Sequence, residues 1–132
     1  MLKKQSIVLI NDYSCCSKGS CSDGALHRVF TAREKRMLSG LVFRDSELNR
    51  VDFSRADLRE TEFHDVFLNA ADFSGADLRG ASFIGCDLRN ARFDRAVMSR
   101  TRFDNSWLIG ARGLSEEMND YVRRHGGVLW FS

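Results

Sequence analysis

A large apolar residue stands at every fifth position through residues 43–108, fourteen times in succession: Phe43, Leu48, Phe53, Leu58, Phe63, Leu68, Phe73, Leu78, Phe83, Leu88, Phe93, Met98, Phe103 and Leu108. A spacing of five suits neither regular element. Residues so spaced lie about 140° apart around an α-helix, and in a strand they fall on alternate faces. A chain that keeps this period while hiding its apolar residues must turn once per repeat. Two residues before each large side chain comes a smaller one, such as Ser46, Val51, Ala56, Thr61, Cys86 or Ser106, and only Leu41 at the entrance is large. Side chains alternate along an extended segment, so both share the inward face. The other three positions of each pentapeptide point outward, and they hold nearly all the charge.

Phenylalanine and leucine alternate strictly, with Met98 standing in once for leucine, so the chemical period is ten. A four-sided coil of twenty residues stacks Phe43-Phe63-Phe83-Phe103, Leu48-Leu68-Leu88-Leu108, Phe53-Phe73-Phe93 and Leu58-Leu78-Met98. A three-sided coil of fifteen would alternate Phe and Leu up each side. Like over like favours four sides. The chain has no proline, in keeping with a backbone whose N–H groups are taken up in ladders.

The segments Ala56-Asp57-Leu58-Arg59, Ala71-Asp72-Phe73-Ser74-Gly75 and Ala76-Asp77-Leu78-Arg79-Gly80 resemble the A(D/N)LXX signature of the pentapeptide-repeat family. The resemblance runs over residues 41–110. It implies an all-β solenoid, a right-handed quadrilateral β-helix of about three and a half coils, roughly 17 Å tall at strand spacing. No particular activity comes with the repeat.

A solenoid needs caps, because its terminal coils expose unpaired backbone and apolar side chains. Residues 1–40 hold an apolar run, Ile7, Val8, Leu9 and Ile10, that reads as a strand. A Cys-containing loop follows, then a capping-box pair, Thr31 and Glu34, that starts a short helix running to Leu38. Met37 and Leu38 are expected to close the first coil. In residues 111–132, Gly113 falls where the next large residue belongs and ends the core. Ser115 reads as an N-cap, Glu116 and Glu117 suit a helix start, and Arg123, Arg124 and His125 suit its end. The apolar tail Val128-Leu129-Trp130-Phe131 either folds back over the rod or pairs with a second chain, and family members that pair through their C-terminal ends give the second reading its weight.

Twenty basic and 18 acidic residues leave a net charge of +2, too balanced to call for nucleic acid or a membrane surface. The four-residue run at 7–10 is too short for a signal-peptide core or a span. The expected location is the cytoplasm, with reduced cysteines. Cys15, Cys16, Cys21 and His27 have ligand chemistry for zinc, but their spacing matches no standard finger or ribbon, so no metal and no cofactor are expected. Cys86 reads as core filler. His64 falls at an outward position among Glu62 and Asp65, and His125 near a helix end, and neither has the company a catalyst needs. Asp57, Asp72, Asp77 and Asp87 recur where an aspartate can accept from local backbone N–H groups, which is a structural role. With no phosphate loop, nucleophile elbow or metalloprotease motif, the chain reads as a non-enzymatic module.

Two outward positions break the polar rule: Phe67 and Trp107 fall on the Leu48 side, two coils apart, with Ile109 beside Trp107. The C-terminal helix, through Met118 and Tyr121, is expected to cover Trp107 and Ile109, which leaves Phe67 as the stronger partner contact. The preferred reading is a protein-binding scaffold. The alternative, implied by resemblance to pentapeptide-repeat proteins that imitate duplex DNA, is a DNA mimic that binds DNA gyrase or a related topoisomerase. Mimicry would use the acidic half of the rod, with Asp52 and Asp57 as contacts. Outward positions 41–110 hold twelve acids against ten arginines, a weak excess. Eight of those acids lie at or before residue 75 and six of the arginines after it, so charge is polarised along the axis.

Overall fold

The computed structural model describes residues 6–7 and 30–129. Its strands form one parallel sheet in chain order: β1 (Ser6–Ile7), β2 (Val42–Arg44), β3 (Glu62–His64), β4 (Ser82–Ile84) and β5 (Arg102–Asp104). Each of the last three pairs with the strand twenty residues earlier, Phe43 with Phe63, Phe63 with Phe83 and Phe83 with Phe103. The other three sides carry isolated parallel bridges at the same offset: Glu47 with Phe67, Asp52 with Asp72 and Asp57 with Asp77, each repeated further up. Twenty residues therefore make one coil of four sides. The molecule is a right-handed quadrilateral β-helix with a helical cap at either end.

The corners recur in phase with the core. Every fifth residue from Gly40 to Gly110 has positive φ, including Asp45, Arg50, Arg55, Ala70 and Arg95. After Leu48, Phe53, Leu58 and most later large residues, the N–H three residues on donates to the large residue's carbonyl, as in Val51 to Leu48 at 3.1 Å and Ala71 to Leu68 at 3.0 Å. Positive φ at the third residue with this hydrogen bond fits a type II turn.

The core is a stack of rings. Seven phenylalanines of the repeat, from Phe43 to Phe103, have no solvent exposure. Phe63 lies 4.7 Å from Phe83 with planes 2° apart, and Phe73 lies 5.1 Å from Phe93 at 2°. Between the two columns the rings meet edge to face, as Phe73 and Phe83 do at 5.4 Å and 85°. Each such pair adds about 0.5 to 1.5 kcal/mol beyond burial. The small inward position is also more than a filler. Thr61, Cys86, Thr101 and Ser106 each donate to the carbonyl of the residue 23 positions back: Leu38, Phe63, Leu78 and Phe83.

At the N-terminal end, α1 (Ala32–Lys35) starts at the expected capping box on Thr31 and Glu34. It stops three residues before Leu38, the expected end. Leu38 is buried as expected, but Met37 is 67% exposed and closes nothing. Its place is taken by Phe30, which stacks on Phe53 at 5.1 Å. The Lys35 carbonyl accepts from the Asp57 N–H, so the helix end meets the edge of the first coil. At the other end Ser115 caps α2 (Glu116–Arg124). This helix packs on β5, where the Tyr121 hydroxyl donates to Asp104 at 2.9 Å. It does not cover Trp107. Asn105 and Leu108 donate to the carbonyls of His125 and Val128, so the segment after α2 seals the last edge. Val128 and Leu129 fold back on the rod, Leu129 against the core. Cys15, Cys16, Cys21, His27, residues 8–10 of the expected strand, Trp130 and Phe131 lie outside the described residues.

Candidate protein-docking face

The side that begins with Glu47 carries one outward column, Glu47, Phe67, Asp87, Trp107 and Val128, each bridged to the next. The last step is 21 residues instead of twenty, because the tail after α2 takes over from the repeat. Phe67 is 50% exposed, Trp107 51% and Val128 36%. Strand alternation forces these side chains outward, since their neighbours Leu68 and Leu108 take the core. A groove of about 430 Å³ lies between the rings, lined by Phe67, Asp87, Arg89, Asn105 and Trp107 among others.

Asp87 forms the floor between the two aromatics. Burial works to raise its pKa, but hydrogen bonds from the Arg89 side chain and backbone prevail and hold the carboxyl below its ordinary value. The Arg89 fork reaches both carboxylate oxygens, at 2.8 and 2.7 Å. The same guanidinium lies 5.5 Å from the centre of the Trp107 ring, within cation–π range. One ion pair thus fixes the floor of the groove and the rear of one wall. Ile109 is half-buried at the following corner.

The acidic candidates lie on other sides of the rod. Asp52 is engaged by Lys35 at 3.1 Å and by Ser54. Asp57 is held by the Arg59 fork at 2.8 and 2.7 Å, and Asp77 by Arg79 in the same way. These arginines stand two residues after their aspartates in Asp-Leu-Arg triplets, a recurrence visible in the sequence whose pairing the periodicity reading missed. The aspartates also accept from backbone N–H groups, Asp72 from Ser74 and Asp57 from Arg59, the role expected of them. His64 sits 3.0 Å from Glu62, and His125 stacks on Tyr121. Burial pushes the Cys86 thiol up to about 12. Among the described residues no group of His, Cys, Asp and Glu is placed to hold a metal ion, and no helix is long and apolar enough to cross a membrane.

The pentapeptide-repeat family model matches residues 38–75 and 76–112, in eight copies. The chain belongs to the pentapeptide-repeat family. Among solved structures, a pentapeptide repeat protein from the Arabidopsis thaliana thylakoid lumen is 28% identical, with a TM-score of 0.58 over 70% of this chain and 77% of that one. Full-length QnrB1, a plasmid-mediated fluoroquinolone resistance protein, is 17% identical with a TM-score of 0.32, over 76% of this chain and 72% of its own. No curated protein sequence matches the chain. As a pentapeptide-repeat rod the molecule has a core that repeats, and what distinguishes it is written on its outward positions.

Proposed function

We propose that this pentapeptide-repeat rod is a non-enzymatic docking module that receives a protein partner on the Phe67–Trp107 face. The observation that carries the reading is one column in which two aromatic rings, Phe67 and Trp107, stay half exposed, with Val128 exposed beyond them. Exposed apolar stripes of this kind are usually covered by a partner, and aromatic residues dominate the energetics of such contacts. The stacked core below holds the wall positions rigid, so little ordering is needed on binding. Asp57, Asp77 and Asp87 are committed to arginines and Asp72 to a backbone donor, and the buried Cys86 thiol is held protonated, which supports a binding role over a catalytic one.

Burial of one such ring contributes about 1.5 to 3 kcal/mol, or roughly a tenfold to hundredfold change in affinity. The test is capture of partners on immobilised protein, identified by mass spectrometry and then measured by titration. Phe67→Ser and Trp107→Ser should leave the melting temperature nearly unchanged and weaken the captured partner by at least tenfold. Undiminished affinity in both variants would sink the proposal. A topoisomerase-directed DNA mimic would behave differently: the wild-type protein would alter gyrase supercoiling, Asp52→Lys with Asp57→Lys would relieve that effect, and Phe67→Ser would not.

A further inference from the structure

The side of the rod that carries Phe53, Phe73 and Phe93 holds a second, larger groove of about 900 Å³, flanked by α1. Five cations line it: Lys35, Arg36, Arg55, Arg92 and Arg95, against a single acid, Asp94. Lys35 is taken up by Asp52 at 3.1 Å, and Arg92 lies 3.6 Å from Asp94. Arg36, Arg55 and Arg95 are exposed, and among the described residues none of them has an acidic partner. Arg55 and Arg95 project from the same corner, two coils apart, with Gly75 between them where a side chain would otherwise fill the gap. The buried Ser74 hydroxyl, at the groove floor, has no hydrogen-bond partner.

We infer that this groove is a binding site for an extended acidic peptide segment of a partner protein. Three unpaired guanidiniums on one face favour carboxylates, which each fork can hold in a bidentate pair. The spread of the charges sets the shape of the ligand. Two coils at strand spacing separate the Arg55 and Arg95 backbones by about 10 Å, a spread that successive carboxylates of one extended segment match. About three residues of extended chain cover that distance. The lining is serine, glycine and alanine between the cations, with no aromatic ring on which a nucleobase could stack. The groove lies on a different side from Phe67 and Trp107, so it stands apart from the docking face.

Fluorescence anisotropy with labelled hexaglutamate tests it, with inorganic tripolyphosphate and a duplex DNA oligonucleotide as competitors. The full chain should bind the peptide, and Arg55→Gln with Arg95→Gln should weaken binding at least tenfold. Arg44→Gln with Arg50→Gln, which removes the same charge from other sides, should change it less than twofold, and Phe67→Ser should leave it unaltered. Circular dichroism melts confirm that both double variants remain folded. Equal losses in the two double variants, stronger competition by tripolyphosphate or DNA than by unlabelled peptide, or no binding at all would each overturn the assignment.

Discussion

At the scale of single residues, the outward aspartates carry the pH response of the fold. Asp57 and Asp77 are lowered chiefly by side-chain hydrogen bonds from Arg59 and Arg79. Asp87 resists the opposing effect of burial and is also lowered. A carboxyl whose folded pKa lies below its ordinary 3.8 stabilises the native state above that value. The contribution is lost as pH falls through the lower folded pKa. Melting temperature should therefore decline as acid is added from about pH 5 to about pH 2. Asp87→Asn, at the least exposed of these carboxylates, should lower stability near neutrality and flatten the acid limb. An acid limb as steep as wild type would show that this pair contributes nothing. The sequence made the recurrence of aspartate plain, and its backbone role followed from residue type. Strand alternation puts an arginine two positions on upon the same side as its aspartate, but whether the two pair depends on the direction the long side chain takes, which residue type alone does not set.

Among elements, the caps decide how the repeat ends. Thr31, Glu34 and Ser115 announced both helices, since capping is local chemistry. Which face each helix would meet was not legible, because that depends on three-dimensional direction at the last corner. Phe30 illustrates the difficulty: it extends the Phe53 column but sits 23 residues before it, outside the period of twenty. Gly113 is where the core stops. Its φ is +84°, and an added Cβ would lie 2.5 to 2.9 Å from the backbone of Phe93 and Asp94. Backbone in a ladder cannot step aside as a flexible side chain can. Gly113→Ala should cost about 2 to 4 kcal/mol from left-handed strain and overpacking, read as a lower denaturation midpoint. An unchanged midpoint would mean that the cap moves as a unit to admit the methyl group.

For the whole molecule, two periods are superposed, five in shape and ten in chemistry, and deletions separate them. Removing residues 66–85 takes out one full coil and restores every stack. Removing 66–75 keeps Phe over Phe but sets the β3 side of the lower coils beneath a side of isolated bridges. Removing 66–70 places Phe against Leu on all four sides of the interface at the junction, Leu48 under Phe73, Phe53 under Leu78, Leu58 under Phe83 and Phe63 under Leu88. Thermal melts should fall in that order, with the five-residue deletion least stable. The twenty-residue deletion should lose only the contribution of one coil and its interface. Equal melts for the five- and twenty-residue deletions would show that the core tolerates mixed columns and that ring stacking contributes little.

The ladder bonds join each coil to the one above, and so they point along the rod. A pull applied between the first coil and the last therefore loads the coil interfaces in series. Each interface carries the full force, and none shares it with its neighbours. Across the rod the same force falls on covalent chain that wraps around the core. The molecule is accordingly anisotropic as a material: it peels open coil by coil from an end under tension along its axis, and it is stiff against forces that cross it, such as those delivered at its sides.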